Sequence, residues 1–287
     1  MNSFLAKTDY YKELVEDGLR EALPQEKASE KVLKAMRYSL LGGGKRIRGT
    51  IALACFELFS DKIEIALPSA VAIEMVHAYS LIHDDLPCMD NDDMRRGKPS
   101  CHVAFGEAVA MLAGDALLTR GIGILSEISD SAAALKCIKS LTEAAGFSGM
   151  IRGQELDIGL GDRRQVKRNE INRVYSLKTG KMYTSAAYMG AVLGNSSEED
   201  LATIEEAMEK IGLAFQIIDD ILDAPTETNT KGNDEDKVTY LSLYNKDNCI
   251  AVAEKLTEEA IEILNNRFKS KAWFISQLAE NLLTRTK

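Results

Sequence analysis

Two groups of aspartates carry most of the chemical information in this sequence. The first is Asp84-Asp85 with Asp90, after the apolar run Leu81-Ile82. The second is Asp219-Asp220 with Asp223, after Phe215-Gln216-Ile217-Ile218. Carboxylates beside apolar core are costly unless something pairs with them. Two such groups, far apart in the chain, point to divalent cations that bridge them to a highly anionic substrate. A ligand set made only of oxygens suits magnesium, which keeps waters and binds through carboxylates together with substrate phosphates.

The spacing of Asp219, Asp220 and Asp223 is i, i+1, i+4, which places all three within about 100° of helical arc. Like charges this close repel. A solvated acidic face is the competing reading; the apolar neighbours Phe215, Ile217, Ile218, Ile221 and Leu222 favour a metal site. In the first group Asp84 and Asp90 do not share a face of a straight helix. Pro87 removes a backbone donor there, and a bulge at Pro87-Cys88 is expected to carry Asp90 back toward Asp84 and Asp85. Asp92 and Asp93 belong to a solvated loop or neutralise Arg95 and Arg96.

Cationic segments accompany the acids. Gly42-Gly43-Gly44-Lys45-Arg46-Ile47-Arg48 is a flexible turn whose N–H groups and cations suit a diphosphate, although a basic helix end gives the same pattern. His77 lies two helical turns before Asp84, on nearly the same face. It is either structural or, facing a cavity, a phosphate donor. Lys178-Thr179-Gly180-Lys181 and Gly153-Gln154-Glu155-Leu156-Asp157 are further polar insertions in apolar context.

The elements that must position these groups read as helices. The five prolines, Pro24, Pro68, Pro87, Pro99 and Pro225, all fall at breaks, and between them apolar residues recur at helical spacing, as in Leu33, Met36, Leu40 and Leu41. Strand alternation and hairpin signals are essentially absent. The expectation is an all-α protein of about ten or more helices. Val103 to Ile128 and Lys181 to Leu193 are apolar nearly all round, so both are expected to be buried on more than one side of a multi-helix bundle. No long linker divides the 287 residues, and a single domain is expected.

Composition narrows the function. With 35 Lys and Arg against 44 Asp and Glu, the net charge is −9; this argues against a nucleic-acid partner but not against an anionic small molecule held through metals. The absence of a run of about 18 apolar residues predicts no transmembrane helix. The acidic start, without an apolar signal core, predicts a cytoplasmic location. Five irregularly spaced cysteines, Cys55, Cys88, Cys101, Cys137 and Cys249, fit reduced thiols rather than a disulfide framework or a zinc site.

Taken together, these motifs closely resemble the trans-isoprenyl diphosphate synthases, in particular the bacterial farnesyl diphosphate synthases. That subgroup shares its form of the first motif with plant-type geranylgeranyl diphosphate synthases. The resemblance runs from Gly43 to about Tyr240. It rests on His77 through Pro87 with Arg95-Arg96-Gly97, on Leu112-Ala113-Gly114-Asp115, on Gly153-Gln154 with Asp157, on Lys178-Thr179-Gly180, and on Phe215 through Asp223. It implies one polyprenyl synthetase domain over residues 1–287, an isoprenoid-synthase bundle around a deep central cavity, and a homodimer. It also implies roles: Asp84, Asp85 and Asp90 for two magnesium ions and Asp219 for a third, with Asp220 and Asp223 in support; Arg95, Lys178 and Lys237 on the allylic diphosphate, with Gln216 lining that site; Lys45, Arg48, His77 and Arg96 on isopentenyl diphosphate; and Thr179 close to the reacting carbons.

The chemistry agrees with the residues. Ionising an allylic diphosphate requires stabilisation of a multiply charged leaving group, which metals and cations supply. The isopentenyl double bond then attacks the carbocation and the released diphosphate takes the proton, so no His or Glu base is required. Product length follows from the helix before Asp84, at about 5.4 Å per turn. Tyr79, five residues before Asp84, is bulky enough to stop the tail after three isoprene units, with Ser80 beside it, which favours farnesyl over geranylgeranyl diphosphate. Tyr79 as plain core aromatic is the other reading.

Some features depart from the family pattern. Gly49 stands where proline is usual, which is expected to loosen the turn. The segment Ala224 to Lys237 is short, with Lys231-Gly232-Asn233-Asp234 as the remnant of a longer stretch that closes over the diphosphates. The basic end Arg285 to Lys287 is either a cap on the site or a solvated tail. A class I terpene cyclase and a non-catalytic subunit regulating a partner synthase remain as alternatives. The cyclase has no use for Lys45, Arg48, His77 and Arg96, and the regulatory subunit is expected to have eroded aspartate motifs.

Overall fold

A computed structural model describes residues 3–24, 30–161, 166–224 and 238–285. Among the described residues there are thirteen α-helices: α1 (Ser3–Ala22), α2 (Lys31–Leu40), α3 (Ile47–Glu57), α4 (Leu67–Asp84), α5 (Cys101–Phe105), α6 (Glu107–Leu125), α7 (Ser131–Ala145), α8 (Met150–Gly161), α9 (Arg168–Tyr175), α10 (Lys181–Leu193), α11 (Glu198–Asp223), α12 (Lys246–Phe268) and α13 (Trp273–Thr284). The all-α bundle expected from the periodicity is the observed architecture.

The two helices that carry the aspartates are built differently. α4 opens with Pro68 in its first turn, where a missing N–H costs nothing. It buries twelve of its residues, from Ser69 to Ile82, so it runs through the interior. α11 opens on a capping box, in which Ser197 and Asp200 satisfy each other's backbone N–H groups. It is amphipathic along its length and buries Leu201, Ile204, Met208, Ile211, Ile217 and Ile218. Both helices end at their aspartates.

Small residues set the closest approaches. A Cβ on Gly190 of α10 would stand 2.0 Å from the Ala52 carbonyl oxygen of α3, and one on Gly114 of α6 would stand 2.2 Å from the His83 ring of α4. The main core joins α1, α3, α4, α6, α7, α10 and α13. A second apolar cluster around Leu160, Ile171, Tyr175, Ile217, Ile218 and Tyr240 supports the second aspartate group.

Lys181–Leu193 is interior, as its apolar circumference predicts, with eleven buried residues. Val103 to Ile128 is not one buried helix. Gly106, at a φ of 87°, separates α5 from α6, and Val103, Met111 and Leu112 stay about half exposed. Apolar character all round therefore reports one face packed on α4 and another left open. By length and composition alone α6 is apolar enough to cross a membrane, but Ala110, Ala113, Leu117, Ile124 and Leu125 join it to the main core of the bundle. One two-stranded hairpin, β1 (Met94–Arg95) with β2 (Lys98–Pro99), was not expected from the sequence. The five cysteines are free thiols.

Gly190→Ala is expected to force α3 and α10 apart and to lower unfolding free energy by about 1–3 kcal/mol. A urea unfolding midpoint equal to that of wild type would contradict the contact.

Candidate functional site

The first aspartate group occupies the last turn of α4 and the turn after it. The helix stops at Asp84, and the chain folds back through Pro87. The Asp90 N–H donates to the Asp84 carbonyl at 2.8 Å and the Asn91 N–H to the Leu86 carbonyl at 3.1 Å, so Asp90 returns to Asp84 as the bulge argument requires. The Asp84 carboxylate accepts from the Gln154 side-chain amide of α8. Asp85 is buried and accepts from Arg95 Nε at 3.0 and 3.2 Å, with a further bond from the same guanidinium. Arg95 also reaches Asp92 at 3.2 Å.

The hairpin explains how two adjacent arginines serve different places. Arg96 and Gly97 both have positive φ, 52° and 74°, which a two-residue hairpin of type I′ requires. Arg95 turns back to Asp85, whereas Arg96 donates to the Gly43 carbonyl of the glycine turn. The Tyr38 hydroxyl, donated to the Pro99 carbonyl at 2.8 Å, fixes the returning strand.

Gly43 and Gly44, at φ of 94° and 143°, form the turn between α2 and α3. A concavity there is lined by Lys45, Arg48, His77, Arg96 and Phe215, with Arg46 and Glu74 paired in its wall. Lys45 is exposed. Arg48 lies over the Tyr183 ring, 5.1 Å from its centroid, and its buried Nε has no hydrogen-bond partner. Burial, followed by the charges of Arg48, Arg96, Arg46 and Arg95, pushes His77 well below the ordinary imidazole range; it is neutral and offers a ring N–H without adding charge.

Arg46 also lines this concavity, but its charge is matched by carboxylates of the fold. It is buried, paired with Glu16 at 2.7 Å and Glu74 at 3.7 Å, and donates to the Leu40 carbonyl. Gly49 corrects a second expectation. Its N–H donates to Glu74 at 2.9 Å, a bond proline has no hydrogen to make, so the turn is pinned rather than loosened. Glu74 thereby holds both Arg46 and the N-terminus of α3, which sets the direction of Arg48.

At the second group, Asp219 accepts from Arg285, whose guanidinium lies 3.9 Å from the Phe215 ring centroid and also reaches the Phe215 carbonyl. Asp220 accepts from the Tyr175 hydroxyl, from Tyr240 N–H at 3.4 Å and from Gln216 at 3.4 Å. Asp223 ends the helix at the surface. Between α9 and α10 the backbone makes one π-helical turn, Ser176–Gly180, of the kind frequent at functional sites. Thr179 donates to Gln216 at 2.8 Å, and Lys178 binds Asp157 of α8 at 2.6 Å. A Cβ on Gly153 would stand 2.3 Å from the Lys178 backbone nitrogen, so only glycine admits this approach. The chain α4–Gln154–α8–Lys178–Thr179–Gln216–α11 thus joins the two groups.

Burial raises the Asp84 carboxyl to about 6, against the lowering effect of Lys178 and with a further rise from Asp90. Burial likewise raises Asp220 to about 6, and raises Asp85 and Asp219 despite Arg95 and Arg285. The protein's own cations therefore leave these carboxylates under-compensated. Among the described residues no three Asp, Glu, His or Cys side chains form a closed metal cage. Each group offers carboxylate oxygens alone, a donor set that would fit magnesium completed by waters and substrate phosphates.

The sequence-derived candidates Asp84, Asp85, Asp90, Arg95 and Lys178 gather on one side of this network. Thr179, Gln216, Asp219, Asp220 and Asp223 gather on the other, and Lys45, Arg48, His77 and Arg96 in the cradle. Tyr79 is buried in α4, its ring edge-on to His83 at 5.5 Å, and Ser80 donates to the His77 carbonyl. Lys237 and the Lys231–Asp234 remnant lie outside the described residues. Of the basic tail, Arg285 is described, and it bonds Asp219 instead of standing in solvent. Glu74 and Tyr175 were not singled out from the sequence. A lone acid in the apolar run Val71 to Val76 is the signal for Glu74; nothing in the sequence distinguishes Tyr175 from a core aromatic.

Because the folded values of Asp84 and Asp220 lie above the ordinary 3.8, their contribution to stability is present below that value and is lost as pH rises through about 6. Added magnesium with inorganic diphosphate is expected to raise Tm more at pH 7.5 than at pH 5.5. Asp84→Asn is expected to shrink that difference, and a gain independent of pH would contradict the electrostatics.

Residues 29–278 match the polyprenyl synthetase family. A farnesyl diphosphate synthase of Geobacillus stearothermophilus is 44% identical over 216 residues, 74% of this chain and 72% of that protein. The large subunit 1 of a heterodimeric chloroplastic geranylgeranyl pyrophosphate synthase of Arabidopsis thaliana is 40% identical over 86% of this chain and 70% of its own. Among solved structures, an apo FPP/GFPP synthase of Zymomonas mobilis superimposes with a TM-score of 0.89 at 36% identity, covering 98% of this chain and 100% of that one.

Proposed function

The chain belongs to the polyprenyl synthetase family and is a prenyltransferase of the trans-isoprenyl diphosphate synthase type, and from that premise we propose that it condenses isopentenyl diphosphate with dimethylallyl and then geranyl diphosphate to give farnesyl diphosphate. The observation that carries this reading is the division of cations into two subsites. One belongs to the aspartate groups, with Arg95, Lys178 and Arg285. The other is the cradle of Lys45, Arg48, His77 and Arg96, whose one lining carboxylate, Glu74, is taken up by Arg46 and the Gly49 N–H. Two diphosphates need two subsites; a cyclase, with one diphosphate, needs one.

Three magnesium ions, held by Asp84, Asp85 and Asp90 and by Asp219 with Asp223, would supply Lewis-acid stabilisation of the leaving diphosphate. Arg95 and Lys178 hold the allylic diphosphate between the aspartate groups, and Lys237 is assigned to the same anion. Lys45, Arg48 and Arg96 hold the isopentenyl diphosphate by charge, and neutral His77 by a hydrogen bond. When the allylic C–O bond breaks, the negative charge develops among groups already oriented toward it, the arrangement that lowers a barrier most. Thr179 and Gln216, bonded to each other, line the region between the subsites. The isopentenyl double bond forms the new C–C bond, and the proton lost from the adjacent carbon goes to the released diphosphate.

The same reading takes residues 1–287 as one catalytic domain and a second copy of the chain as the cover for Met111 and Leu112 on α6. Tyr79 sets the product. Its hydroxyl is held un-ionised, pushed up to about 12 by burial and the Asp84 charge. Its ring stands edge-on to His83, which itself meets Met111 and Gly114 of α6, and a longer tail running along α4 would have to pass it.

The test is a magnesium-dependent coupling assay with labelled isopentenyl diphosphate and each allylic starter. Farnesyl product from dimethylallyl and geranyl diphosphate, with none beyond, is expected; a geranylgeranyl product would keep the reaction and overturn the Tyr79 stop. Tyr79→Ala is expected to lengthen the product. Arg96→Ala is expected to raise the KM for isopentenyl diphosphate about 10- to 100-fold while leaving that for the allylic substrate near wild type. Equal loss for both substrates would contradict the two-subsite division.

A further inference from the structure

Tyr175 is the last residue of α9 and is 5% exposed. Its ring stacks on Tyr240 with centroids 5.7 Å apart. Its hydroxyl donates to Asp220 Oδ2, the same oxygen that faces the Tyr240 N–H at 3.4 Å. The other Asp220 oxygen receives Gln216, and Gln216 in turn receives the Thr179 hydroxyl. Tyr175 and Thr179 are four residues apart, as are Gln216 and Asp220. The pairs make two rungs, one at each end of the π-helical turn, that fasten it to α11.

Three consequences follow from this geometry. Among the described residues Asp220 has three protein donors, whereas Asp219 accepts from one, Arg285, which is itself shared with the Phe215 and Leu282 carbonyls. The π-helical turn has an extra residue to accommodate, and the rungs fix its two ends. Held in this way, Lys178 leaves the turn on the side of Asp157 and Asp84, and Thr179 on the side of Gln216. The phenol itself, raised by burial and by Asp220, serves only as a donor.

We propose that Tyr175 is a positioning residue for the condensation: its hydroxyl commits Asp220 to the protein, leaves Asp219 and Asp223 as the ligands the second group offers, and locks the π-helical turn so that Lys178 and Thr179 face their subsites. This rests on the two-diphosphate reading given above and deepens it at one residue.

The experiment compares wild type, Tyr175→Phe, Asp220→Asn and the double variant. Calorimetric titration of magnesium in the presence of inorganic diphosphate gives a readout without turnover; kcat and both KM values are measured beside it, with urea midpoints to register any loss of fold. Tyr175→Phe is expected to weaken magnesium–diphosphate binding and to lower kcat, each by about tenfold or more. The KM for isopentenyl diphosphate stays unchanged, because its cradle lies on other elements. The double variant is expected to be no worse than Asp220→Asn alone. Wild-type binding and kcat in Tyr175→Phe would overturn the proposal. So would losses that add to those of Asp220→Asn, or that fall equally on both substrates in step with the urea midpoint. A wild-type protein that neither binds magnesium with diphosphate nor couples the substrates would overturn the underlying reading as well, whereas an active wild type with an indifferent Tyr175→Phe would overturn this inference alone.

Discussion

Two helices deliver carboxylates to one region from their C-terminal ends. α4 stops at Asp84 and α11 at Asp223, so each adds the negative end of its dipole to the charge of its aspartates. Apolar surroundings remove the water that would screen them, and the raised carboxyls of Asp84, Asp85, Asp219 and Asp220 record that cost. The fold tolerates this concentration of charge only by bringing cations to it. Arg95 comes from a hairpin, Lys178 from a π-helical turn and Arg285 from the end of the last helix. Their charge leaves room for more, which is what a site for divalent cations and a diphosphate requires.

Unusual backbone is concentrated where these cations are aimed. Arg96 with Gly97, and Gly43 with Gly44, take positive φ on the two sides of the cradle. The π-helical turn directs Lys178, and Gly153 lets α8 reach the backbone of that turn. By contrast, α4 and α10 are ordinary buried helices, and their role is to make a rigid wall. Precision at the charged groups comes from elements whose own side chains are locked by packing or by a second bond. Glu74 does this for the glycine turn and Tyr175 for the second aspartate group.

The fold class was legible because helical periodicity and the placing of five prolines are local signals. The aspartate spacing at 219, 220 and 223 could be read for the same reason. The return of Asp90 to Asp84 followed from one residue, Pro87, whose missing donor forces the chain off the helix. What was not legible depends on partners distant in sequence. Gly49 looked like a loosened turn because its acceptor, Glu74, lies on another helix. Arg46 looked like a cation free for the cradle because its partner Glu16 lies in α1. The stretch from Val103 to Ile128 looked like one helix buried on more than one side because an apolar circumference does not say which face meets protein. Tyr175 carried no signal, since its role is defined by a carboxylate 45 residues away.

The central claim is that the two aspartate groups act together on one diphosphate through divalent cations, while the cradle holds another. Its most direct test is a crystal structure with manganese and a non-ionising thio-analogue of the allylic substrate, read by anomalous scattering. Manganese peaks at both Asp84 and Asp219, bridged by one diphosphate, with the cradle free for a second, is the predicted result. Manganese at one group alone, or a diphosphate seated in the cradle with no cation between it and the aspartates, would contradict the account.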